Sequence, residues 1–398
     1  MKKISVDREC FEWFYDDFQH NNCVGEFKKE RIDIDEYLIK HISIGITNNC
    51  NMNCTYCYKS INSDKCLYEI PYNEIVTYIE KLMKIRVKER GLETVQLIGG
   101  EPTLHKDFIK ICRYLKDNGL EIRVSTNGTN SKILRSNDLK EIYVNHPMEF
   151  RISLDDFDYS KNNLTRGRKF NSITENIKYL INNGAKVSVK SVITKKNIND
   201  IPKTLEFLAS LGVKAYSYST LYNLGNASND LYYKKNYVSD LEVFKKFIEV
   251  MDEYPEYVSM IQGNIICHIL QSLFVKKPNY FLTKFYLYVN YDGNIYAQDQ
   301  LINNDFIIGN IYDKTLDYNK LISNYRVIKR KYEISKSSCT KCDFYSYCVK
   351  GNYGELYRID RSLESEFPTC KDLKKMMEYF MVNGEVSKKF LIKSLISD

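Results

Sequence analysis

From residue 41 to about residue 255 the chain alternates between two hydrophobic periods, and this alternation limits the fold more than any other feature. HISIGIT (41–47) alternates apolar with polar positions and is rich in β-branched residues, which reads as a strand. Residues 71–89 carry Ile75, Ile79, Leu82 and Ile85 at helical spacing. The rhythm then repeats. Strands are expected at 95–100, 121–128, 149–156, 185–194 and 215–222, and helices at 106–118, 137–143, 171–183, 201–211 and 238–253. Several of these helices close on a glycine (Gly119, Gly184, Gly212). Strand–helix repeats with short connections imply parallel β/α units. Six units are too few to close an eight-stranded barrel, so the expected fold is α/β, an open, partial (β/α)6 barrel of TIM type. In such sheets the site lies at the carboxyl ends of the strands.

The pattern divides the chain into an N-terminal extension (1–40), the partial barrel (41–255), a cysteine-rich unit (256–370) and a C-terminal helical segment (371–398). The third unit begins with a hairpin expected at 286–298, turning at Asp292-Gly293. A loop-like stretch dense in cysteine follows at 335–370, and a Lys-rich amphipathic helix is expected from about 371 to 393.

The net charge of +7 over 398 residues is spread along the chain and gives no reason to expect nucleic acid. No stretch approaches the 18 apolar residues of a membrane span. The start, MKKISVDRECFEWFYDD, has two lysines but no apolar run behind them, so it does not read as a signal peptide. The expected location is therefore the cytoplasm, without a membrane partner. In that reducing compartment the twelve cysteines are not expected to form disulfides, and clustered ones read as metal ligands.

The first cluster, Cys50-x3-Cys54-x2-Cys57, follows directly on the first strand. A [4Fe–4S] cubane needs four ligands, and three local thiolates leave one iron open to the amino and carboxylate groups of a cosubstrate. Open catalytic metal sites follow the same logic, whereas structural sites are closed. Asn48, Asn49, Asn51 and Asn53 suit the turns of a loop that wraps such a cluster. The alternative is a zinc knuckle or buried free thiols, although zinc sites favour two cysteine pairs over an isolated triplet. Further motifs follow in order. Gly99-Gly100-Glu101-Pro102 ends the second strand, where a glycine pair lets backbone approach a ligand. Ser125, Thr126 and Asn127 end the third strand. Ser153 and Asp155 share one face at the end of the fourth, with an Asx-type turn as the alternative reading.

The cysteine spacing, Tyr56 just before the last cysteine, and the order of these motifs resemble the radical S-adenosylmethionine (radical SAM) superfamily. The resemblance implies that Cys50, Cys54 and Cys57 hold a [4Fe–4S] cluster to which S-adenosylmethionine binds. It places Tyr56, Gly99, Gly100 and Glu101 at the cosubstrate, with Glu101 near the methionine amino group. Ser153 and Asp155 would meet the ribose, and Ser125 and Asn127 would line the same pocket. Arg166, with Arg168 competing, would pair with the cosubstrate carboxylate through its guanidinium fork. Val192, with Thr194, would touch the adenine. An electron passed to the sulfonium would release a 5′-deoxyadenosyl radical that takes hydrogen from an unactivated carbon.

The second cluster is Cys339-x2-Cys342-x5-Cys348 followed by Cys370. Four thiolates make a closed site, suited to an auxiliary cluster or to structural zinc. This arrangement resembles the SPASM and shorter twitch domains of peptide- and protein-modifying radical enzymes. A full SPASM domain holds a second auxiliary cluster, but Gln298 and Asn352 stand where two of its cysteines would be, so one auxiliary [4Fe–4S] cluster is expected. Cys10, Cys23, Cys66, Cys112 and Cys267 read as ordinary small apolar residues. Asp299, after the hairpin, stands where sulfatase-maturating relatives carry a catalytic base; the alternative is a solvated turn aspartate. The resemblance implies a maturase that forms a thioether or carbon–carbon crosslink in a ribosomally made peptide. Formylglycine formation in a sulfatase is the rival activity, and a non-catalytic iron–sulfur or zinc scaffold is the rival of another class. The implied partners are a peptide or protein substrate, an electron donor such as flavodoxin or ferredoxin, and a separate leader-binding protein.

Overall fold

Alternate side chains on the strands go to opposite faces, and here the two faces differ in chemistry. The computed structural model describes residues 39–59, 67–85, 91–262, 286–334, 342–344, 353–360 and 366–383, together with Ile266, Ile269 and Cys348. In chain order the elements begin with β1 (His41–Thr47), α1 (Tyr72–Met83), β2 (Thr94–Gly99), α2 (Phe108–Asp117), β3 (Glu121–Thr126), α3 (Ser131–Leu134), α4 (Asn137–Asn145) and β4 (Met148–Ser153). They continue with α5 (Tyr159–Arg166), α6 (Phe170–Asn182), β5 (Lys186–Ile193), α7 (Ile201–Ser210), β6 (Ala215–Thr220), α8 (Asp230–Asn236) and α9 (Asp240–Glu253). Strands β7 (Leu287–Val289), β8 (Asn294–Tyr296) and β9 (Ile307–Asn310) follow, then α10 (Tyr318–Ile334), α11 (Tyr353–Asp360) and α12 (Cys370–Val382).

The first six strands pair in sequence order, all parallel. This is the α/β partial barrel expected from the alternation. The expected hairpin also forms, turning at Asp292-Gly293, with Gly293 at φ +83°. It does not stand apart from the barrel sheet. β7 pairs parallel with β1, giving one nine-stranded sheet in the order β6-β5-β4-β3-β2-β1-β7-β8-β9.

Ile42, Ile44, Val95, Leu97, Ile122, Val124, Phe150, Ile152, Val187 and Val189 form the apolar face and are buried in one core cluster. The other face is polar. Gln96 donates to Ser125 Oγ at 2.8 Å, and Tyr286 donates to Ser43 Oγ at 2.8 Å. Deeper down, Arg123 meets Glu121 at 2.9 Å and Glu149 at 3.7 Å, and Arg151 meets Glu149 at 3.3 Å. Burial alone would raise the Glu149 pKa, but Arg151, the Ser188 hydroxyl and Arg123 together hold it below the usual value.

Helices α3, α5, α8, α10 and α11 were not expected from the periodicity, and α11 lies within the stretch 335–370 that reads as loop-like. The buried residues of α5 are Asn162, Thr165 and Arg166, so this helix carries no apolar stripe to read. Its ends are nonetheless marked. Asp158 caps it by accepting from the Ser160 amide at 2.7 Å, and Gly167 ends it at φ +95°. Arg166 is thus the last residue of a helix that the periodicity does not indicate.

At the far side of the barrel α12 packs on α9, with the Phe244 and Phe380 rings 4.7 Å apart. The amphipathic helix expected at 371–393 is described as far as Val382; residues 384–398 lie outside the described residues. Among the described residues no helix is long and apolar enough to cross a membrane.

Two carboxyls lie where α9 and α11 meet the barrel. Asp240 begins α9, and Glu355 of α11 accepts the Asn223 amide. Burial pushes each up to about 7. Asp372 adds to the shift of Asp240, and Asp240 adds to that of Glu355. Carboxyls raised in this way bind protons more tightly folded than unfolded. Their contribution is full below the unfolded values near about 4 and is lost as pH rises through about 7. The unfolding free energy from urea denaturation should therefore fall between about pH 5 and about pH 8. Asp240→Asn and Glu355→Gln should each flatten that fall.

Candidate active site

One cavity of about 290 Å³ opens at the carboxyl ends of the parallel strands, near the lower end of the range for small-molecule sites. Cys50, Cys54 and Cys57 all line it. Gly99, Gly100, Ser125, Asn127, Ser153, Arg166 and Val192, singled out in the sequence, also line it, as do Tyr56 and Asp299.

The cysteine loop is held from three sides. On the first, Gly100 donates its amide to Thr47 O at 2.8 Å and Glu101 donates its own to Asn49 O at 2.7 Å. A Cβ on Gly99 would stand 2.2 Å from Thr47 O, and one on Gly100 would stand 2.3 Å from Asn49 O. These glycines are thus required by the close approach of β2 to the loop after β1, before any ligand is considered. On the second side, Gly225 and Asn226 follow β6. Asn226 donates its amide to Cys57 O at 2.9 Å and its side chain to Cys54 O at 2.9 Å. A Cβ on Gly225 would stand 2.2 Å from Cys57 O.

The third side is the end of α5. Thr55 donates to Thr165 O at 2.9 Å. The buried Tyr56 hydroxyl donates to Asp155 Oδ2 at 2.5 Å and accepts from Arg166 Nη1 at 2.6 Å. Arg166 Nη1 lies 3.7 Å from Asp155 Oδ1, which also accepts the Val192 amide at 3.1 Å. Arg166 Nε is buried and has no hydrogen-bond partner among the described residues.

Two expected ligand contacts face the protein itself. Glu101 is buried and does not line the cavity. Its Oε1 accepts from the Thr103 amide, the Thr103 hydroxyl and the Thr126 hydroxyl, and its Oε2 accepts the Asn127 amide at 2.6 Å. Burial raises its pKa, and those four bonds oppose the rise. Asp155 likewise stands behind the wall, bonded to Tyr56, Thr165 and Val192. The Asp155 carboxylate joins the cysteine loop to the end of β5, while the Glu101 carboxylate ties the end of β2 to that of β3 and its amide bonds the loop at Asn49.

The other end of the cavity was not read from the sequence. Tyr58, Lys59, Gln96, Lys190, Ser219 and Tyr222 line it together with Asp299, whose Oδ2 accepts the Tyr58 hydroxyl at 3.0 Å. Lys59 directly follows the motif, and Lys190 lies on the same face of β5 as Val192, so alternation from Val192 offered a signal for Lys190.

Of the second cysteine group, Cys342, Cys348 and Cys370 are half-buried against the core, and Cys370 begins α12. Cys339 lies outside the described residues. Among the described residues no three His, Cys, Asp or Glu side chains stand as close together as one metal ion requires. Thiolates on separate corners of a cubane are spaced more widely than those on one ion.

Residues 44–208 match the radical SAM superfamily, and this stretch of the chain is a radical SAM domain. Two curated relatives share it. A probable GTP 3′,8-cyclase of Pyrococcus horikoshii is 30% identical over 41% of this chain and 49% of its own. The antilisterial bacteriocin subtilosin biosynthesis protein AlbA of Bacillus subtilis is 26% identical over 56% of this chain and 48% of its own. The alignments thus span about half the length of either relative. The crystal structure of Streptococcus suis SuiB bound to the precursor peptide SuiA shares the fold. Its TM-score is 0.64, at 18% identity over 84% of this chain and 76% of that one.

The superfamily implies a [4Fe–4S] cluster with S-adenosylmethionine, and the residues fit that pair. Three thiols face one cavity, and the Arg166 side chain stands in the same wall. Burial pushes the Cys50 thiol up to about 11. The Met52 backbone opposes this, while Glu101 and the other two thiols add to it. Forming thiolates there calls for the positive charge that a metal centre supplies.

The ion pair behind the wall is open to a direct test. Asp155→Ala would leave Arg166 buried without its carboxylate, an uncompensated charge that costs about 3–5 kcal/mol. The urea midpoint of the variant should fall accordingly; a loss below about 1 kcal/mol, the level of an exposed pair, would mean that the pair does not hold the loop.

Proposed function

We propose that the protein is a radical SAM peptide maturase that forms a thioether or carbon–carbon crosslink in a ribosomally made peptide. The observation that carries this reading is a cavity lined both by the three thiols and by charged and phenolic side chains, Lys59, Lys190, Asp299, Tyr58 and Tyr222. AlbA, a bacteriocin biosynthesis protein, and SuiB, bound to a precursor peptide, support the peptide as substrate.

When bound, the cluster and S-adenosylmethionine supply the radical that removes hydrogen from the substrate. The chain's own residues bind and position. Cys50, Cys54 and Cys57 hold the cluster, leaving one iron for the cosubstrate. Arg166, fixed by Tyr56 and Asp155, offers its guanidinium to the cosubstrate carboxylate. Ser125, Asn127 and Ser153 give polar contacts, and Val192 gives an apolar surface for the adenine. Glu101 and Asp155 act as positioning residues through the loop they brace. Asp299, bonded to Tyr58, would accept the proton that the substrate loses as the new bond forms, with an auxiliary cluster as the electron acceptor. Cys339, Cys342, Cys348 and Cys370 hold one auxiliary cluster in a SPASM- or twitch-type domain. Flavodoxin or ferredoxin supplies the electron in the cytoplasm, and a separate protein presents the peptide leader. Formylglycine formation in a sulfatase is the second reading, favoured by the Asp299 carboxylate in the cavity wall.

Anaerobic incubation with dithionite and S-adenosylmethionine should yield 5′-deoxyadenosine, and Cys54→Ala should abolish it. No 5′-deoxyadenosine from the fully reconstituted chain would refute the reading. Iron analysis should find about eight irons per chain for two cubanes, against about four with one zinc if the second cysteine group is a zinc site.

A further inference from the structure

The floor of the cavity carries more positive charge than its own carboxylates balance. On the polar face of the sheet, Glu121 and Glu149 are taken up by Arg123 and Arg151, and Asp155 by Arg166. One carboxylate remains in the cavity wall, Asp299, and it interacts with two ammonium groups, Lys59 and Lys190. Lys59 is already placed. Its Nζ donates to the Tyr288 hydroxyl at 2.8 Å and lies 4.5 Å from the centre of that ring.

Lys190 is different. It lies opposite Ser153 of β4 and Ser217 of β6, in the interior of the parallel sheet. Its side chain is nonetheless exposed to the cavity and makes no hydrogen bond or ion pair within 4 Å among the described residues. Desolvation lowers its pKa, Asp299 opposes that, and Arg151 adds to it. The ammonium is open to the cavity, so a ligand there can reach it and supply the close partner that the protein does not.

We propose that Lys190, with Lys59 beside it, binds a carboxylate of the substrate and so selects a peptide that presents an acidic side chain or its C-terminal carboxylate to the cavity. Asp299 close by repels a doubly charged phosphate more strongly than a carboxylate, which favours the monoanion. The two lysines give point charges, and Tyr222 and Ser219 also line the cavity with hydroxyl groups. This inference rests on the peptide reading above, but the charge recognition has its own test.

That test is binding to the reconstituted full-length chain with S-adenosylmethionine, measured by calorimetry. The probes are N-acetyl-glutamate α-methylamide, N-acetyl-alanine, N-acetyl-alaninamide and inorganic phosphate. At least one of the two acids should bind about tenfold or more tightly than the neutral amide, as a charge-assisted hydrogen bond implies. The stronger acid tells whether a side chain or a C-terminus supplies the carboxylate. Lys190→Gln should remove that preference, and Lys190→Arg should retain most of it. Should Lys190→Gln not fold, as judged by circular dichroism, Lys59→Gln should weaken the same acid. Equal binding of acids and amide, an unchanged preference in Lys190→Gln, or phosphate binding above both acids would each overturn the proposal. Acid selectivity in a chain that modifies no peptide would instead sink the peptide reading and leave the anion site standing.

Discussion

Asp155 sits at the junction on which the rest of the site depends. One oxygen accepts the Tyr56 hydroxyl and the Thr165 hydroxyl, and the other accepts the Val192 amide and faces Arg166. Its backbone takes part as well: its amide donates to Asn162 Oδ1, and its carbonyl accepts from Asn197 Nδ2. The cysteine loop, the end of β5 and the last turn of α5 therefore meet at one buried carboxylate. A buried carboxylate is tolerable only when its charge is matched and its lone pairs are used. Arg166 supplies the charge, and the hydroxyl and amide donors fill the lone pairs.

The same logic organises the polar side of the sheet. Its helix-facing residues are branched aliphatics in a continuous core, while the opposite face carries serine, glutamine and charged side chains that satisfy one another in layers. The lower layer closes on itself through the glutamates and arginines of β3 and β4. The upper layer does not close, and the cavity lies there. The thiols are held over that opening by backbone bonds from the glycine-bearing ends of β2 and of the loop after β6, contacts that tolerate no Cβ. Rigid support of this kind fixes where a cluster is held and leaves the opposite end of the cavity to the substrate.

Much of this architecture is legible in the chain itself. The first six strands fall where alternating β-branched residues indicate, because one face of each must be buried. The helices that escaped are short or polar, α5 above all, whose buried side chains Asn162, Thr165 and Arg166 give no hydrophobic period. The motif residues do collect around one cavity, but their orientation was hidden. Glu101 and Asp155 have the chemistry of ligand contacts and are turned inward by neighbours 25 or more residues away or across an adjacent strand.

By itself, then, the amino-acid sequence determined the β/α succession, the positions of the turns and the local spacing of three cysteines, since periodicity, turn chemistry and ligand spacing are properties of short segments. The tertiary structure alone decided that the hairpin at β7 and β8 would join the barrel sheet beside β1. It also decided that the carboxylates of two motifs would brace the site from behind, and that Lys190 would stand in the cavity without a close partner among the described residues. Those outcomes depend on which strands become neighbours and which charges cancel across them, and such pairings exist only once distant segments of the chain have come together.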